Sequence, residues 1–109
     1  MNQSHVSHTR RFLFLQGPTN FLFSEIARQL RALGHSAYRI NMCLGDQVFW
    51  LGPGASNFRD RPEKWPEYIE DYYNKHGITD LILLGEQRPR HREAICAAKR
   101  MHIEVIATD

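Results

Sequence analysis

Residues able to do chemistry gather in a few short segments of this chain. The most basic segment is Arg88-Pro-Arg-His-Arg92, whose guanidinium forks suit a carboxylate or a phosphate. On a helix, positions 88, 90 and 92 cannot share one face, so one or two of the arginines should meet a ligand while the rest stay solvated. His91 reads as a general acid or base, as a phosphate contact, or as a helix-capping surface residue. Asp46, Glu86 and Asp109 are the carboxylates placed to activate a hydroxyl, and each could equally serve as a hydrogen-bonding loop residue. Asp46, His91 and Asp109 are therefore the candidate catalytic groups. Gln16, Gly17, Asn20, Trp50, Glu86, Arg88 and Arg90 are the candidate substrate contacts.

Gly17 follows an apolar run and could let the backbone approach an anion at the next helix start. It could also simply give the Gly17-Pro18 turn its shape, and no G-x-G-x-x-G fingerprint is present. Trp50 offers an aromatic face to a sugar or base, or else pins its loop to the protein; Trp65 reads as core. Cys43 and Cys96 lack the paired spacing of a zinc site and fit a reducing, cytoplasmic compartment. Cys96, among alanines and Ile95, reads as a small core residue, and Cys43 as exposed. His5 and His8 fall in a polar segment, 1–10, read as a disordered leader without a secretion signal. No metal and no cofactor is expected.

These groups need a scaffold. The 109 residues suffice for one domain, and 42% hydrophobic with 24% charged content is that of a globular chain. The net charge of +2 is too small to argue for nucleic acid, and no apolar run is long enough to span a membrane. Phe12–Gln16, Ala37–Asn41, Asp80–Leu84 and His102–Ala107 read as short strands. Leu22, Ile26, Leu30 and Leu33 repeat at helical spacing before Gly34, with Thr19 or Asn20 as the cap. Trp65, Ile69, Tyr72 and His76 mark a second helix closed by Gly77, and Pro89 opens a third carrying Ala94, Ile95, Ala98 and Met101.

The alternation predicts an α/β, Rossmann-like parallel sheet of about four strands with helices on both faces, over 11–109. Ligands of such sheets bind beyond the carboxyl ends of the strands, where most of the polar candidates fall. The segment from Leu44 to Trp65 is too long for an ordinary connection. Its Phe49, Trp50, Phe58 and Trp65 mark it as a folded loop that lines something.

Several segments together carry a family resemblance: Phe12-Leu-Phe-Leu-Gln-Gly-Pro18, Arg39-Ile-Asn41, Gly45-Asp46 with Phe49-Trp50, Arg59-Asp-Arg-Pro-Glu-Lys-Trp-Pro66, and Gly85 with Arg88-Pro89 and His91. From about Arg11 to Asp109 the chain resembles bacterial capsule polysaccharide biosynthesis and export proteins, in particular the capsule Kdo transferases. The resemblance implies a cytoplasmic glycosyltransferase at the inner membrane face. It would move Kdo from CMP-Kdo to a lipid-linked glycolipid acceptor, alongside capsule assembly and export proteins.

It also implies a GT-B-like architecture, of which these residues would form the N-terminal half. Such proteins are longer, and Glu86-Gln87 stands where an Asp-Cys-like pair is expected. The resemblance therefore implies a fragment of a longer protein, inactive by itself. The alternative is a non-catalytic glycan- or anion-binding module of the capsule machinery. A weaker one is a flavodoxin-like domain that binds nucleotide at Gly17.

Overall fold

The computed structural model describes residues 9–85 and 88–108, apart from the side chains of 44 and 45. Among the described residues, five strands form one parallel sheet: β1 (Arg11–Phe14), β2 (Ser36–Asn41), β3 (Ala55–Asn57), β4 (Asp80–Leu84) and β5 (Glu104–Thr108). Their spatial order is β3-β2-β1-β4-β5, with Leu13 level with Tyr38 on one side and with Leu81 on the other. Four helices connect them: α1 (Leu22–Ala32), α2 (Leu44–Val48), α3 (Trp65–His76) and α4 (Pro89–Arg100). The fold is Rossmann-like α/β, with one strand more than the sequence predicted.

Strand side chains alternate between faces, and this sorts the core into two layers. Leu13, Leu15, Ile40, Leu81 and Leu83 point to the side covered by α3 and α4, where Trp65, Ile69, Tyr73, Ala94 and Ala98 meet them. Phe14, Ala37 and Ile82 face the other way, against Phe23 and Ala27 of α1 and against Trp50. Continuous apolar strands are what a sheet covered on both faces requires.

The stripe predicted for α1 is rotated. Leu22 and Leu33 are 52% and 74% exposed, while Phe23 and Ala27 are buried and Ile26 and Leu30 half-buried. Phe23 decides the rotation, because its ring lies over Gly17: a Cβ added at Gly17 would sit 2.4 Å from Phe23 Cδ2. The N-cap is Phe21 rather than Thr19 or Asn20, and Asn20 sits one residue ahead of it, its Oδ1 accepting from the Leu22 N–H at 2.9 Å. Cys96 is exposed, against the core position expected for it, and Cys43 is exposed too. Ala97 and Ala98 fill the core side of α4 instead.

The long segment after β2 is fully structured. It forms α2, crosses the α1 layer, and returns as β3 at the sheet edge before a 3-10 turn (Pro62–Lys64) leads into α3. Ser24 Oγ both donates to Leu51 O at 3.0 Å and accepts from Leu51 N–H at 2.9 Å, fastening the crossing to α1. Gly54, at φ +87°, passes so close to β2 that a Cβ would lie 2.7 Å from Ala37 O. That approach lets Arg39 N–H donate to Gly54 O and Phe58 N–H to Asn41 O, both at 2.9 Å, on either side of β3.

Candidate functional site: a cleft at the carboxyl end of the sheet

In a sheet ordered 3-2-1-4-5, the connections leaving β1 and β4 diverge to opposite faces and leave a crevice between them. A cleft of about 700 Å³ lies there, lined among others by Gln16, Cys43, Asp46, Arg88, Arg90 and His91. Gln16 follows β1, Cys43 and Asp46 follow β2, and the other three open α4. Pro62 and Glu63 close it from the 3-10 turn ahead of α3, and Glu93 from the second turn of α4.

Asp46 is 5% exposed and doubly held. Its Oδ2 accepts from the Met42 N–H at 2.8 Å, just ahead of α2, and its Oδ1 lies 3.8 Å from Nη2 of Arg39. Arg39 sits inside β2 and is 3% exposed. Its Nη1 donates to Leu15 O and its Nε to Asn41 Oδ1, both at 2.9 Å, and its guanidinium stands 5.8 Å from the Trp50 ring. Burial lowers the Arg39 pKa, and the Asp46 carboxylate opposes that shift. Asp46 is thus tied into a buried clamp. Arg39 itself was not predicted as a site residue, although a charge within an otherwise buried strand was the signal for it.

His91 is fully buried on the first turn of α4. Its Nδ1 lies 2.7 Å from the carbonyl oxygen of Gly85. A carbonyl only accepts, so this contact puts a proton on Nδ1 and leaves Nε2 with a free lone pair in the neutral ring. Nε2 has no partner among the described residues. Burial pushes the His91 pKa below the ordinary 6.5, the Gly85 carbonyl opposes it, and Arg88 lowers it further. A neutral imidazole with a fixed tautomer and an unused nitrogen can accept a proton or a hydrogen bond from a ligand.

Arg88 is exposed, and its Nη1 donates to Gln16 Oε1, joining the β1 and β4 sides of the cleft. Arg90 stands over the Phe58 ring at 5.6 Å, and its carbonyl accepts from Trp65 Nε1 at 2.9 Å. Arg92 does not line this cleft, so two of the three arginines do.

Three predicted contacts lie elsewhere. Gly17 packs against Phe23 and Asn20 accepts from the Leu22 N–H ahead of α1, and neither lines the cleft. Trp50 is buried in the α1 layer, 5.5 Å from the Phe14 ring, with its Nε1 donating to Pro53 O at 3.1 Å. Glu86 and Asp109 lie outside the described residues, as does nearly all of the segment read as a leader, with His5 and His8. Among the described residues no three His, Cys, Asp or Glu side chains are grouped to hold a metal, and no helix is long and apolar enough to cross a membrane.

No protein-family model matches the chain, and no solved structure matches it. It is similar to the capsule polysaccharide export protein KpsS of Escherichia coli, 28% identical over 98 residues, which is 90% of this chain and 25% of KpsS. It is also similar to the capsule polysaccharide modification protein LipB of Neisseria meningitidis, of serogroups A and B, 30% identical over 91 residues. That match covers 82% of this chain and 22% of LipB. The chain thus spans about a quarter of the length of the curated relatives it matches. These relatives bear out the resemblance to capsule polysaccharide export and modification proteins.

Proposed function

We propose that this chain is a domain of capsule polysaccharide biosynthesis and export, and that it forms the N-terminal, acceptor-side half of a glycosyltransferase. The reaction is transfer of Kdo from CMP-Kdo to a lipid-linked acceptor at the inner membrane face. A second half-domain supplies the rest of the donor site. The observation that carries this reading is the cleft lined by Asp46, Arg88, Arg90 and His91 at the topological switch point of a chain related to capsule proteins along most of its length.

Within the cleft, His91 is fitted to meet a polar group of the substrate, since Nδ1 is occupied and Nε2 has no partner among the described residues. Asp46 serves to hold the rim through Arg39 rather than to move a proton, because its carboxylate already has two partners. Arg88 and Arg90 meet the anionic part of a substrate.

The test is a transfer assay on the intact protein that carries this domain, with CMP-Kdo and a glycolipid acceptor. Kdo-bearing product should form, and Arg88→Gln or His91→Asn should reduce it in a protein that remains folded. Absence of product under conditions in which a characterised Kdo transferase is active would sink the proposal. Capsule glycan binding by the 109 residues, with no transfer by the intact protein, would support the non-catalytic module instead.

A further inference from the structure

We propose that the start of α4 is an oxyanion-binding subsite, taking a phosphate ester or a carboxylate between the N–H groups of Arg90 and His91, the Arg88 guanidinium and His91 Nε2. This deepens the reading of the cleft as a ligand site and does not depend on which sugar is transferred.

The backbone supplies the first half of the argument. α4 is 12 residues long, and its N-cap residue, Arg88, makes no capping hydrogen bond. Pro89 has no N–H, and the Arg92 N–H to Arg88 O bond, 2.8 Å, opens the helical ladder. The N–H groups of Arg90 and His91 precede that bond. The first turn holds no acidic residue. Arg88, Arg90 and Arg92 instead add positive charge to the positive end of the helix dipole. That arrangement is unfavourable empty and favourable around an anion.

The independent half is His91. It is fully buried, lines the same cleft, and its Nε2 has no partner among the described residues. A neutral Nε2 accepts from the P–OH of a hydrogen phosphate, and a protonated one donates to a carboxylate. The titratable and charged groups around it in the cleft are Cys43, Asp46, Glu63, Arg88, Arg90 and Glu93. Asp46 is already paired with Arg39, so Glu63 and Glu93 are the carboxylates that oppose an incoming anion. Gln16, which holds Arg88 now, is the neutral group that the anion replaces.

Titration of the 109-residue chain, followed by amide and imidazole NMR at constant ionic strength, tests this. Methyl phosphate is the ligand in one arm, acetate in the other, and chloride is the control. Saturable shifts are expected at the Arg90 and His91 amides and at the His91 ring, and Arg88→Gln should weaken binding by about tenfold. Arg88 is exposed, so this variant should keep a folded spectrum.

Saturation with methyl phosphate alone assigns the subsite to phosphate esters. Saturation with acetate, accompanied by a rise in the His91 pKa, assigns it to carboxylates. Shifts that do not saturate in either arm, that match chloride, or that Arg88→Gln leaves unchanged overturn the proposal. Saturable binding here alongside failed Kdo transfer would refute the glycosyltransferase reading alone. Transfer without saturable binding would refute this subsite alone.

Discussion

Arg39 and Asp46 bury opposite charges together, with Arg39 Nη2 3.8 Å from one carboxylate oxygen and 3.4 Å from the Asp46 carbonyl. Through Arg39 the pair also reaches Leu15 at the end of β1 and Asn41 at the end of β2. The cleft wall and two adjacent strand ends therefore share one electrostatic joint. Asp46→Ala should destabilise the fold by about 3–5 kcal/mol, because it strands a buried guanidinium. The double replacement Arg39→Met with Asp46→Leu should recover most of that loss. Urea unfolding of the wild type and these two variants checks this, and a single-mutant loss no larger than an exposed pair gives would refute the clamp.

Gly17 is required by the Phe23 ring rather than by a ligand. Gly17→Ala should cost about 1–3 kcal/mol through overpacking, and a smaller residue at position 23 should restore part of it. Thermal melts of Gly17→Ala, alone and with Phe23→Leu, read the outcome. Additive losses would show that the two positions do not meet.

Stability should fall in mild acid. The folded His91 pKa lies below 6.5 mainly because the ring is buried, so the unfolded chain takes up the proton first. The His91 contribution is complete above the unfolded value of about 6.5 and is lost as pH falls through the depressed folded value. His76, lowered by burial and by Lys75, acts in the same direction. Urea midpoints measured from about pH 8 down to pH 5 should decline, and His91→Asn should flatten the slope. A midpoint that rises on acidification would contradict the assignment.

The two thiols should separate by location. Both are exposed, but Cys43 lines the cleft and Cys96 lies on the outer side of α4. A thiol reagent should modify both in the native protein, and a ligand held in the cleft should slow Cys43 alone. Mass spectrometry of the modified peptides distinguishes them. Equal protection of both would place the ligand elsewhere.

Much of this was legible because parallel sheets write their strands as apolar runs, and Leu81 to Leu84 could hardly be anything else. The rule that ligands gather beyond strand ends found Gln16, Asp46, Arg88, Arg90 and His91 without any motif. β3 was hidden, because Ala55-Ser-Asn57 has none of the β-branched or aromatic residues that mark strands. Its pairing rests on Gly54 and on the hydrogen bonds of Arg39 and Phe58, which only the tertiary fold brings together. The α1 face was misplaced because four leucines and isoleucines fit the period, yet one phenylalanine fitted the gap over Gly17. Trp50 and Arg39 were each half-read for a related reason: sequence gives a side chain's chemistry but not the layer that receives it.

The segment between β2 and α3 puts Trp50 into one core layer and Phe58 into the other, passing around the β3 edge between them. Peeling it away would uncover both sides of the sheet at once. In amide exchange its backbone should therefore open with the sheet's outer strands, near the global unfolding limit, and not at the rate of a surface loop. The rim of the cleft is then as slow to move as the core beneath it.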